Sequence, residues 1–122
     1  MAEAERVLKA AVARDRENPF AWYQLGVVYA ANGDLPRARL ASAEQQVMEL
    51  RMPEALSSAE AAEAALPKGT ADWLRAQDIA MQARTAIERA RKRRTAAAMS
   101  EMKVRLGGGS PRQAARPVFA LL

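Results

Sequence analysis

Prolines at positions 19, 36, 53 and 67 stand at intervals of 17, 17 and 14 residues. Proline lacks the amide hydrogen a helix interior uses and pushes the preceding residue out of the helical region, so each one marks a place where a helix ends or begins. Between these marks the chain is made of helix formers. Of the 122 residues 29 are Ala, whereas Val, Ile and Thr together number 12. Ala, Leu, Glu, Arg, Gln and Met rank high in helix propensity, and a chain short of β-branched residues makes a poor sheet. The expectation is an all-α fold of about five helices, stacked as antiparallel hairpins into a short solenoid.

The punctuation places the helices. The first covers about Ala2 to Arg16, with Val7, Leu8, Ala11 and Val12 at three- and four-residue spacing. The second runs from Pro19 to Ala31 and stops at Asn32-Gly33-Asp34, where Gly33 is free to take the left-handed conformation. Asp34 caps the third helix, which reaches about Leu50. The fourth spans Pro53 to about Leu66. Thr70 caps a long fifth helix, whose apolar face reads Trp73, Ala76, Ala80, Ala83, Ile87 and Ala90. Short connections make neighbouring helices antiparallel. This reading gives a helical repeat domain over 1–94 and a basic and apolar tail over 95–122, with a helical extension to 106 and a Gly-rich linker at 107–111.

Within the second and third helices stand Trp22, Leu25-Gly26, Tyr29, Gly33-Asp34 and Ala38, and Pro19 precedes them. These residues stand at the spacing of the tetratricopeptide signature, and the chain resembles that family here. Gly26 and Ala38 are small, so two antiparallel helices can touch. Trp22, Leu25 and Tyr29 share a face that fills the space between successive units. The later repeat is weaker: Ala55, Ala59, Ala62 and Pro67 fit the second half of a unit, without a Trp-Leu-Gly-Tyr set before them. The alternative is a generic helical hairpin with Trp22 and Tyr29 in its core.

The resemblance narrows further. The stretches RENPFAWYQLGVVYAANGDLPRARLASAEQ and ALPKGTADWLRAQDI look like the C-terminal tetratricopeptide region of bacterial periplasmic BepA-like zinc metallopeptidases, over about residues 3–90. That resemblance implies a substrate- or partner-binding module beside a protease domain, in the periplasm. The chain departs from the family in having no His, and therefore no HExxH helix. What is expected is the accessory region alone. Outside that parentage the expected location is cytoplasmic, since AEAERVLKAA after Met1 has no apolar signal-peptide stretch.

The sequence has neither Cys nor His. Disulfides, thiolate nucleophiles, imidazole general bases and the usual zinc ligands are excluded together. No carboxylate spacing suggests a metal site, and no apolar run approaches the roughly 20 residues that cross a bilayer. A non-catalytic chain without cofactor, metal or membrane span is expected.

Groove-facing positions of a tetratricopeptide unit fall on Phe20, Tyr23, Val27 and Ala30, with Ala31 beside them. Family members that clamp an acidic C-terminus carry Lys and Asn at such positions. This strip is apolar and aromatic, and suits an apolar or aromatic peptide. The alternative is that Phe20 and Tyr23 pack under another domain or a second copy of the chain.

Charge is unevenly placed: residues 1–83 carry a net −3 and residues 84–122 a net +8. Arg84, Arg89, Arg91, Lys92, Arg93 and Arg94 put six cations in eleven residues, enough to meet several phosphates of a nucleic acid or another acidic surface. No aromatic side chain interleaves with them for base stacking, and cations also complement the negative end of a helix dipole. A solvated helix end is the preferred reading and nucleic acid the less favoured partner. Val118, Phe119, Leu121 and Leu122 form an apolar end, expected either to dock in a groove of this or a neighbouring chain or to have no structural role.

Overall fold

The computed structural model describes residues 2–106; the linker at 107–111 and the apolar end beyond it lie outside the described residues. Helices α1 (Ala2–Arg14), α2 (Pro19–Ala31), α3 (Leu35–Met48), α4 (Met52–Ala65) and α5 (Ala71–Arg105) follow in order, and no strand occurs among the described residues. The fold is all-α.

The caps explain most of the boundaries. The Asn18 side chain accepts the backbone N–H groups of Phe20 and Ala21, with Pro19 in the first turn of α2. The Asp34 carboxylate accepts the Arg37 N–H at 3.2 Å, and the Thr70 hydroxyl accepts the Trp73 N–H at 3.3 Å. Both caps match the sequence reading. At the end of α2, the Gly33 N–H reaches the Ala30 carbonyl and the Asp34 N–H the Tyr29 carbonyl at 2.8 Å, with Gly33 at φ 80°. This is the Schellman arrangement.

The same arrangement closes α3, but with a leucine in the left-handed position. Leu50 has φ 60°, its N–H reaches the Val47 carbonyl, and the Arg51 N–H reaches the Gln46 carbonyl at 2.9 Å. The helix therefore ends at Met48, two residues before the expected boundary. Helix α1 also ends early, at Arg14. The carbonyl of Arg16 accepts the Trp22 indole N–H at 2.8 Å and fixes the link between α1 and α2.

Packing centres on α3. One apolar cluster joins Val12 of α1, Ala21, Trp22, Leu25 and Tyr29 of α2, and Ala41 of α3. The other joins Leu40 and Ala43 of α3 to Ala59 and Ala62 of α4, Leu66 beyond it, and Ala76, Ile79 and Ala80 of α5. A Cβ placed on Gly26 would lie 3.5 Å from the Ala41 Cβ and 3.6 Å from the Ala38 carbonyl. Small residues thus bring α2 and α3 together where the sequence predicts.

Ion pairs and amide bonds give the directions. Arg37–Asp72 and Glu44–Arg75 ascend together along α3 and α5, so these helices run the same way. Gln77–Glu63 and Arg84–Glu60 run in opposition, so α4 and α5 are antiparallel.

The chain divides into two compact units, with the boundary after Ile87, inside α5. Because α5 runs on to Arg105, Arg94 stands eleven residues, three turns, before the helix end. The dipole effect fades within the last turn. The basic cluster over 84–94 is therefore not a helix C-terminus, and the dipole reading of it is overturned.

Candidate partner-binding surface

Helix α2 is apolar nearly all round, which requires cover on more than one side or leaves an apolar strip in water. Both occur. Trp22, Leu25 and Tyr29 are buried, Gly26 and Ala38 are half-buried, and Gly33 makes the turn. On the other side Phe20 is 64 % exposed, Tyr23 and Val27 are each 52 % exposed, and Ala30 and Ala31 are exposed beside them. The side chains assigned to structure and those assigned to recognition lie on different faces of one helix.

Helix α1 supplies the facing wall. Tyr23, Val27 and Val28 line an open depression together with Ala4, Val7 and Leu8. Phe20, Ala30 and Ala31 lie outside that lining, along the exposed surface of α2. Sequence reasoning missed Val7. The available signal was that Val7, Leu8 and Val12 cannot all face inward on one narrow stripe. Val12 is buried, Leu8 half-buried and Val7 exposed.

A second concavity, of about 350 Å³, is charged. In its lining the Glu44 carboxylate, with its side chain 3 % exposed, accepts two hydrogen bonds from the Arg75 guanidinium, each 2.8 Å. Arg16 approaches the same carboxylate at 3.6 Å, and its guanidinium stands 5.6 Å from the Trp22 ring centroid. The hydrogen bonds to Glu44 hold Arg75 above the usual arginine pKa against the opposing effect of burial. Arg37 donates to Asp72 at 3.1 Å nearby. With both oxygens engaged by guanidinium groups, Glu44 clamps the α1–α2 link, α3 and α5 together. Sequence reasoning assigned it no role. Its one signal was a carboxylate one turn from the buried Leu40 and Ala41, on an inward face.

The basic cluster is not one site. Arg84 pairs with Glu60 of α4 at 3.0 Å, and Arg91 pairs with Glu88. The hydrogen bond from Arg91 lowers the Glu88 pKa. Arg89, Lys92, Arg93 and Arg94 have no ion-pair partner among the described residues. At 3.6 residues per turn Arg94 stands well away from the face shared by Arg89, Lys92 and Arg93.

Among the described residues no group of acidic side chains is placed to hold a metal ion, and no helix is long and apolar enough to cross a membrane. No family model, curated protein or solved structure matches the chain.

Proposed function

We propose that this chain is a tetratricopeptide-type protein-interaction module without catalysis of its own, and that the strip of α2 facing α1 receives an apolar or aromatic segment of a partner protein. The observation that supports this is the split of α2: Trp22, Leu25 and Tyr29 are buried, while Tyr23 and Val27 stand half-exposed in a depression walled by Val7. An exposed apolar strip on an otherwise packed helix is costly in water unless something covers it. Covering roughly 300 Å² of apolar surface is worth about 7 kcal/mol gross at about 25 cal/mol/Å². Association and side-chain ordering consume much of that, giving micromolar or weaker affinity for a short peptide. The resemblance to the repeat region of BepA-like metallopeptidases supports a role as the accessory, client-engaging part of a periplasmic zinc protease.

Selection from a peptide library on the immobilised chain tests the reading. Enriched peptides carry Phe, Trp or Leu, and Tyr23→Ala weakens them about tenfold or more with an unchanged thermal melt. Peptides that bind Tyr23→Ala as well as the parent chain refute it. Self-association through the same strip is favoured instead if sedimentation shows a dimer that Val7→Asp or Tyr23→Asp dissolves.

A further inference from the structure

From Glu88 to Arg105 the helix carries seven Lys/Arg against two Glu. Glu88 is engaged by Arg91 and Glu101 by Arg105. Arg89, Lys92, Arg93, Arg94 and Lys103 are left exposed, with no ion-pair partner among the described residues. Neither intrahelical pairing nor the helix terminus accounts for Arg89, Lys92, Arg93 and Arg94; Lys103 stands in the last turn of the helix.

The helical register sorts these side chains. Arg89, Lys92, Arg93 and Lys103 fall within an arc of about 100°, with the small residues Ala96 and Ser100 between them. Met99, Met102 and Leu106 fall within the adjoining arc of about 60°. They are respectively 66 %, 60 % and 78 % exposed. Glu88 projects in this apolar arc too, but lies eleven residues before Met99 and is neutralised by Arg91. Arg94, Glu101 and Arg105 take the far side. The result is a basic stripe edged by an apolar one.

We propose that residues 88–106 bind the surface of an anionic lipid bilayer. Such a surface takes both stripes at once: its negative potential attracts the cations, and the boundary between headgroups and acyl chains accepts Met99, Met102 and Leu106. The basic side chains lay their aliphatic stems along that boundary while their charged ends stay among the headgroups. A nucleic-acid duplex would meet the cations, but it gives three exposed apolar side chains no place to go, and no aromatic residue is present here for stacking on bases. Three side chains are too few to anchor a helix alone, so binding requires the charges and weakens as salt rises.

The test is co-sedimentation of the full chain with vesicles of phosphatidylcholine containing about one third phosphatidylserine, against vesicles of phosphatidylcholine alone. The chain partitions onto the anionic vesicles and not onto the neutral ones. R89Q/K92Q/R93Q/K103Q lowers the partition coefficient about a hundredfold or more. M99Q/M102Q/L106Q lowers it about tenfold with all charges retained. All seven positions are exposed, so circular dichroism of both variants stays that of the parent. Failure of the chain to partition overturns the proposal, as does equal partitioning of M99Q/M102Q/L106Q and parent. So does binding of duplex DNA that survives M99Q/M102Q/L106Q while vesicle binding is absent, which identifies nucleic acid as the partner. These outcomes do not depend on the peptide strip of α2.

Discussion

Glu44 shows how much one side chain can hold in a small alanine-rich fold. Its carboxylate is almost wholly out of water, and its charge is balanced by Arg75 at 2.8 Å and Arg16 at 3.6 Å. Removing a partner from a buried pair strands the other charge, at a cost of about 3–5 kcal/mol. Arg75 and Arg16 differ in what they leave behind. Arg75→Met deprives Glu44 of both short hydrogen bonds and is expected to cost about 3 kcal/mol. Arg16→Met leaves the bidentate pair intact and should cost about 1 kcal/mol or less, as an exposed pair does. Urea unfolding of the two variants measures the difference, and equal losses would refute the central place given to Arg75.

Gly26 is the other residue on which the packing turns, and the space beside it sets which substitutions fit. An added Cβ would meet Ala41 and Ala38 at ordinary van der Waals distance. Gly26→Ala therefore fits, and gains up to about 1 kcal/mol from better helix propensity. Gly26→Leu has no such room and should cost about 1–3 kcal/mol by forcing α2 and α3 apart. Melting temperatures that move in opposite directions for the two variants are the expected signature. The sequence motif pointed to the right residue, but the tolerance for one methyl group was not legible in it.

At the scale of the element, the two ends that close alike differ in chemistry. Gly33 takes φ 80° after α2 without penalty, whereas Leu50 takes φ 60° after α3 with its side chain 77 % exposed. A β-carbon in the left-handed region costs roughly 1–2 kcal/mol, and this one recovers little of that by burial. Leu50→Gly is thus expected to stabilise the chain by about 1 kcal/mol, seen as a higher denaturant midpoint at unchanged slope. No sequence rule would place a leucine there. The hydrogen bonds from Leu50 and Arg51 back into α3 select the conformation, and the turn into α4 follows from it.

At the scale of the whole molecule, the two units differ in what supports them. Up to Ala83 each helix of the first unit places residues in an apolar core, chiefly through alanines with no exposed surface such as Ala43, Ala55, Ala59, Ala62 and Ala76. From Arg91 to Leu106 every side chain is exposed. Helix without tertiary burial rests on propensity alone and opens easily. Amide hydrogen exchange should therefore show strong protection around Leu40–Glu44 and Ala76–Ala83, with protection lost beyond Glu88. Equal protection along the whole of α5 would contradict this division.

Composition and proline spacing were enough to determine that the chain is helical, how many helices the described part holds and, within a residue or two, where most begin. These properties are local: a cap, a proline or a glycine acts on its own few neighbours. The resemblance to the tetratricopeptide spacing also separated the inward Trp22, Leu25 and Tyr29 from the outward Phe20, Tyr23 and Val27, which periodicity alone could not do because α2 is apolar nearly all round. Only the tertiary structure decided that Val7 of α1 walls the strip and that Glu44 is a buried clamp. The helix end stands well beyond the basic cluster, in keeping with the helical extension to 106 read from the sequence. The places of Val7 and Glu44 depend on which side chains meet across 16 or more residues, and that is not written in the periodicity of a single segment.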